Sequence, residues 1–389
     1  MVRHLILASL LIGTVASADS LPPRPASGLY LGADLSYVNE MEDCGAIFRS
    51  GGKPVDPFTL LAGKGGNIVR VRIWNDARWT KYSDLADVTK TIRRARSAGM
   101  QVLLDFHYSD DWADGDKQNA PAAWATLDTP AQAKALYAYT RDVLGKLDAQ
   151  GLMPDMVQVG NETNPELMAG PKKPIDWTRN ATLLNAGIKA VRDAGKVAKV
   201  NPRVMLHIAQ PENVEPWFDD ATAAGVIDYD VIGISYYKKW STRSMPELGR
   251  TIARARARYK ADVIVVETAY PFTLANADTS PNLLGSDALI PGYPATPKGQ
   301  RDYLVDLTQT VVDGGGIGVV YWEPGWVSTR CGTRWGKGSN WENAAWFDYR
   351  RHEALPAFDF LRHDYRVNTR STATRTPLPP PQRGRSNDL

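Results

Sequence analysis

Cysteine is almost absent: Cys44 and Cys331 are the only two in 389 residues. Two thiols so far apart make no metal-ligand pattern, and the five histidines show no zinc spacing. A large excess of either charge is also lacking. Forty-six Lys and Arg stand against 43 Asp and Glu, a net +3, which gives no reason to expect nucleic acid or an anionic membrane as partner. Beyond Leu5 to Val15 no long apolar run occurs, so nothing in the body of the chain reads as a membrane span. No Gly-rich fingerprint follows the first predicted strand, which argues against a doubly wound dinucleotide-binding sheet.

Aromatic residues are well supplied, with twelve Trp and sixteen Tyr. Flat rings with polar edges suit the faces of sugar rings, although they also fill cores. Arg3 and His4, the short apolar run and then Ala16-Ser17-Ala18 read as a secretory signal peptide over residues 1–18, which predicts export to the periplasm or medium. Residues 19–28 form a Pro-rich lead-in. Residues 363–389 are rich in Pro, Arg and Thr and poor in large apolar groups, the composition of a disordered tail. The remaining span, 29–362, is long enough for one large domain.

Within it, apolar runs alternate with helical patterns. Strands are expected at Leu29–Leu35, Asn67–Trp74, Gln101–Phe106, Met156–Val159, Arg203–Ala209, Val231–Tyr236, Asp262–Glu267 and Gly316–Glu323. Helices are expected at Ser83–Ala98 with Ser83 as N-cap, Pro130–Gln150, Val214–Ala224, Met245–Lys260 and Lys298–Val312. Eight strands in such alternation predict an α/β fold, a single-domain (β/α)8 TIM barrel. In a closed barrel the first strand lies beside the eighth. The loops that follow them are then neighbours, and each carries one cysteine, which predicts a Cys44–Cys331 disulfide in an oxidising compartment.

A barrel of this kind does its chemistry at the carboxyl ends of its strands. Those ends read Asp34, Arg72, His107, Glu162, Tyr236 or Tyr237, Glu267 and Trp322. Two buried strands that end in Glu162 and Glu267 suggest paired carboxylates for glycoside hydrolysis, one protonating the departing oxygen and the other attacking or stabilising the anomeric carbon. An arginine near one carboxylate would keep it charged, and Arg72 is the expected partner of Glu267.

The segments Gly32-Ala33-Asp34-Leu35-Ser36, Asp105-Phe106-His107-Tyr108-Ser109-Asp110 with Trp112-Ala113-Asp114, Val159-Gly160-Asn161-Glu162, Gly233-Ile234-Ser235-Tyr236-Tyr237, Val265-Val266-Glu267-Thr268 and Tyr321-Trp322-Glu323-Pro324-Gly325-Trp326 together resemble glycoside hydrolase family 53. That family comprises the arabinogalactan endo-β-1,4-galactanases. The resemblance runs in order from about residue 29 to 360. It implies a retaining enzyme of clan A, a monomer acting on β-1,4-galactan, with no required cofactor. By the same resemblance Glu162 is the acid/base, Glu267 the nucleophile and Asn161 the holder of the sugar 2-hydroxyl. Arg72 and Tyr236 would orient Glu267, and Trp322 would floor the subsite of cleavage. A different β-linked polysaccharide, or a barrel that binds glycan without cutting it, are the competing readings.

The segments Asn164-Pro165-Glu166-Leu167-Met168 and Ala209-Gln210-Pro211-Glu212-Asn213 depart from the family pattern in loops that line the cleft, so the number of subsites does not carry over. Bacterial relatives can hold calcium after strand seven. Here Asn276, Asp278, Ser280 and Asn282 alternate with a single carboxylate among them, which disfavours structural calcium. Trp112 and Trp326 are expected to stack on sugar, and Trp124 and Trp335 to pack loops. His107 could serve either the site or the core, whereas His207 reads as a core histidine. Asn161-Glu162-Thr163 and Asn180-Ala181-Thr182 match the glycosylation sequon, the first inside the expected cleft.

Overall fold

The structure, a computed structural model, describes residues 28–171, 173–333 and 336–366. The signal peptide, the lead-in up to residue 27, the tail beyond residue 366 and Trp335 lie outside the described residues. Eight parallel strands close into a barrel in sequence order: β1 (Tyr30–Asp34), β2 (Ile68–Ile73), β3 (Gln101–Phe106), β4 (Met156–Val159), β5 (Arg203–Ala209), β6 (Val231–Ser235), β7 (Asp262–Glu267) and β8 (Gly318–Tyr321). The seam pairs Tyr30 with Gly318 and Ala33 with Tyr321. Backbones come close at two glycines on β1 and β8. A Cβ on Gly32 would lie 1.8 Å from the Ile68 carbonyl oxygen, and one on Gly318 would lie 1.9 Å from that of Tyr30.

Helices cover the outside of the barrel: α1 (Val38–Asp43) and α2 (Pro57–Gly63) after β1, then α3 (Leu85–Ser97), α4 (Thr129–Asp148), α5 (Trp177–Gly195), α6 (Pro211–Ala223), α7 (Met245–Tyr259) and α8 (Pro297–Asp313). Because the strands are buried on both faces, they read as continuous apolar runs. Asp84, rather than Ser83, caps α3 by accepting the Asp87 N–H, while Ser83 is buried in a left-handed conformation with φ 57°. Helix α5 fills the gap between β4 and β5 where the pattern marked none. Arg254 and Arg258 on α7 pair with Glu215 and Asp219 on α6.

Inside the barrel, Tyr30, Ile68, Leu103, Met156, Met205 and Ile264 belong to one apolar plug. Side chains two residues further along the strands are polar: Arg70 after Ile68, Asp105 after Leu103, Gln158 after Met156 and His207 after Met205. The period of two thus makes an oily plug below and a charged layer above it. Cys44 follows α1, Cys331 lies in the loop after β8, and the two are bonded with Cα atoms 5.6 Å apart, as the closed topology predicts.

Candidate active site

Arg70 is the hub of the polar layer. It is 1% exposed, and its Nη1 lies 3.0 Å from Asp34 Oδ2 and 2.8 Å from Glu267 Oε1. Its Nη2 donates at 2.8 Å to both Asp105 and Asn161, and its Nε donates at 3.2 Å to Gln158. The five N–H groups of a guanidinium diverge in one plane, so a single side chain can fix groups from β1, β3, β4 and β7 at once. Tyr237 completes the hold on Glu267 by donating its hydroxyl to Oε2 at 3.1 Å.

Local irregularities aim these groups. The pairing of β6 with β7 slips so that Ser235 faces Glu267 after Ile234 faced Val265. The extra residue in this bulge lets Val266 join the apolar plug while Glu267 still reaches the site. After β4, Gly160 takes φ 82° and Glu162 takes φ 44°, so Asn161 and Glu162 leave the strand together. Tyr108, Gln210 and Glu323 share this left-handed backbone immediately after β3, β5 and β8. Such conformations are uncommon outside glycine and concentrate where geometry serves a site.

Glu162 Oε2 accepts the Gly115 N–H at 3.1 Å. Asn161 donates to the Ala113 carbonyl at 2.8 Å and lies 3.0 Å from His207 Nδ1. His207 Nε2 in turn contacts the Ser235 hydroxyl at 2.9 Å, and burial pushes this imidazole well below its usual range, so it stays neutral. His107 is 2% exposed, with Nε2 3.1 Å from Asp105 and Nδ1 accepting the Ala113 N–H at 3.2 Å. Asp34 accepts from Ser36 as well as Arg70. Both Asp34 and His107 therefore buttress the hub.

Burial raises the carboxyl of Glu162, and the charge of Asp114 adds to the effect while the Ser235 hydroxyl, Gly115 N–H and Arg70 oppose it. Burial pushes Glu267 up to about 8 against the pull of Arg70, with the carboxylates of Glu162, Asp105 and Asp34 adding to the rise. The two glutamates thus influence each other and titrate as a pair. Burial also holds the Tyr237 hydroxyl well above its ordinary range, so it remains a donor.

Two expectations are corrected by this geometry. Arg72 does not reach Glu267: its Nη1 lies 2.5 Å from Glu323 Oε1, and its guanidinium is sandwiched among the rings of Tyr37, Trp74 and Trp112 at 4.3, 4.9 and 4.5 Å. Arg70, one step deeper on the same inward face of β2, takes the expected role. Tyr236 does not orient Glu267 through its hydroxyl, which donates to the Arg243 carbonyl at 3.2 Å; its neighbour Tyr237 makes the contact.

Trp322 is half-buried, with Trp341 edge-on at 4.6 Å and Trp112 at 5.8 Å. Trp112 is likewise half-buried. Trp326, expected on sugar, is only 5% exposed and lies face to face with Tyr37 at 4.0 Å, so it packs the wall. Trp79 and Trp240, at 38% and 47% exposure, are the open aromatic surfaces that strand-end reading missed because they lie several residues into their loops. Asn161 and Asn180 are both buried and hydrogen-bonded, which removes them as glycosylation sites. In the loop after β7 the oxygens of Asp278 accept from the Ser280 and Ser339 N–H groups and the Ser328 hydroxyl. Asn276 accepts from Asn282. Glu342, whose carboxyl is raised to about 7 chiefly by burial, lies against Asp278 as a second carboxylate, and among the described residues no cluster of three or more His, Cys, Asp or Glu is placed to hold a metal.

Residues 30–361 match the family model described as glycosyl hydrolase family 53. The chain is 54% identical over 375 residues, 95% of its length and 99% of the relative's, to an arabinogalactan endo-beta-1,4-galactanase of Cellvibrio japonicus. It is 38% identical to an endo-beta-1,4-galactanase of Bacillus subtilis, across 76% of this chain and 70% of that one. Among solved structures, the Ignisphaera aggregans GH53 catalytic domain superposes with a TM-score of 0.80 at 31% identity, covering 89% of this chain and 99% of that domain.

Proposed function

Because the chain belongs to glycosyl hydrolase family 53, we propose that it is an exported, retaining endo-β-1,4-galactanase that cuts the galactan side chains of pectic arabinogalactan. Its relatives from Cellvibrio japonicus and Bacillus subtilis carry that activity in their names. The observation that carries the mechanism is the placement of Glu267 between two donors, Arg70 Nη1 at 2.8 Å and Tyr237 Oη at 3.1 Å, within electrostatic reach of Glu162. In the free protein burial outweighs Arg70 and keeps the Glu267 carboxyl up at about 8, which leaves a shared proton there. Two donors already directed at its oxygens favour the opposite arrangement, an ionised Glu267 and a protonated Glu162, in the working complex.

Glu162 gives its proton to the departing glycosidic oxygen as Glu267 attacks the anomeric carbon. The bond to the leaving sugar breaks and an ester between Glu267 and the glycone forms. Glu162, now ionised, takes a proton from water, whose oxygen displaces Glu267 and restores both carboxyls. Asn161, fixed by Arg70 and the Ala113 carbonyl, offers its amide to the sugar 2-hydroxyl, a contact that strengthens as the ring flattens. Trp322 supplies a ring beneath the reacting sugar. An exported, monomeric protein free of nucleic-acid and membrane partners completes the reading, supported by balanced charge and by a disulfide.

The test is product analysis of linear β-1,4-galactan, mannan and cellulose treated with wild type, Glu162→Gln and Glu267→Gln. Galacto-oligosaccharides from wild type only are expected, with losses of about 10³-fold or more in each variant. Cleavage of mannan or cellulose with galactan intact would overturn the substrate, and binding of galactan without cleavage would overturn the activity.

A further inference from the structure

Beside the catalytic centre, under the loops that follow β1, β2 and β8, lies a cavity of about 280 Å³ lined in part by Tyr37, Glu40, Trp74, Trp79 and the Cys44–Cys331 disulfide. It shares a wall with the site, because the Tyr37 N–H donates to Glu323 and the Tyr37 ring packs on both Arg72 and Trp326. Three features distinguish it from a packing defect. Its wall is rich in aromatic residues, with Tyr37, Trp74, Trp79 and Tyr82 all in the lining.

The second feature is Trp79. Its indole N–H donates to the Asp110 carbonyl at 3.0 Å, and Asp110 also holds the Asp76 and Ala122 N–H groups, which ties the β2 loop to the β3 loop. With its edge fixed and 38% of its surface exposed, the ring is a preorganised platform. The third feature is Glu40, half-buried in the lining, whose carboxyl is raised by burial. It would accept sugar hydroxyls.

We infer that this cavity is a subsite for one monosaccharide unit of the substrate, held by stacking on Trp79 and by hydroxyl bonds to Glu40. The inference rests on the galactanase reading for its substrate, and the same chemistry fits a galactosyl unit of the main chain or an arabinosyl branch. Trp79→Ala and Glu40→Gln test it through kcat/KM on linear galacto-oligosaccharides of increasing length and on arabinosylated galactan. A loss of about tenfold on long linear chains, with a much smaller loss on the shortest chain that wild type cuts, assigns the cavity to the main chain. A loss confined to arabinosylated galactan assigns it to a branch. Calorimetric binding of neutral galacto- and arabino-oligosaccharides to Glu162→Gln protein, with and without Trp79→Ala, is read independently of turnover. Weaker binding in the double variant supports the subsite even if galactan proves not to be the substrate. Equal losses on all chain lengths, or no difference in either measurement, overturn it.

Discussion

Arg70 carries one positive charge among three carboxylates, Asp34, Asp105 and Glu267, all within 3.0 Å. Removing it would leave three buried acids without a counter-charge. Arg70→Met should therefore cost about 3–5 kcal/mol in urea unfolding as well as activity. Arg70→Lys keeps the charge but not the fork, and should fold while losing kcat by about a hundredfold. The neighbouring tyrosines give a sharper contrast. Tyr237→Phe should lower kcat roughly tenfold or more, whereas Tyr236→Phe, whose hydroxyl contacts only the Arg243 carbonyl among the described bonds, should stay within about threefold. Equal effects in steady-state kinetics would contradict the assignment of Glu267 to Tyr237. Both corrections have a common origin: alternation put Arg70 and Arg72 on one face of β2, but sequence alone does not say how deep in the barrel each one ends. Adjacent Tyr236 and Tyr237 pose the same problem, because the turn after β6 decides which one faces inward.

At the scale of elements, the strands and their order were legible because each is a short apolar run punctuated by glycine or by a polar end. Glu162 and Glu267 stood out as carboxylates at such ends, and the disulfide followed from barrel closure. Helix α5, Trp177–Gly195, went unmarked although its buried Leu184, Ile188 and Val191 recur at helical spacing after the N-cap Asp176. Glu323 was quoted within a motif but given no role, since its carboxyl turns inward to Arg72 only through a left-handed backbone, φ 50°, that no local propensity announces. The disulfide joins residues 287 apart and closes the seam. Replacing both cysteines by alanine should lower stability by on the order of 3 kcal/mol, visible as a fall in Tm that reductant reproduces in the wild type. An unchanged Tm would mean that the pairing of β1 with β8 holds the seam by itself.

For the whole molecule, the charged layer sets a balance between stability and function. Glu267 has its carboxyl raised in the folded state to about 8, above its ordinary value of 4.5. Between these values the folded protein binds more proton than the unfolded chain, so the contribution of this group to stability is present at low pH and lost as pH rises toward 8. Glu267→Gln removes that loss. Its Tm should exceed the wild-type value by a margin that grows from pH 5 to pH 8 and corresponds to about 2 kcal/mol at the upper end, after allowance for the coupling to Glu162. A margin that shrinks with rising pH would show that Arg70 dominates and holds the carboxyl down. The barrel, with its charged layer above an apolar plug, brings both glutamates to the end of the barrel where the strands finish.

In the mechanism we propose, the reaction passes through an ester on Glu267. On that proposal an activated 2-deoxy-2-fluoro β-galactobioside should form this ester and release it slowly, because fluorine destabilises the positive charge that develops at the anomeric carbon and replaces the hydroxyl that Asn161 would hold. Mass spectrometry of the digested, inactivated protein should find one added glycosyl group, on the peptide that contains Glu267. A glycosyl group on any other residue, or galactan cleavage that yields the inverted anomer with no adduct at all, would contradict it.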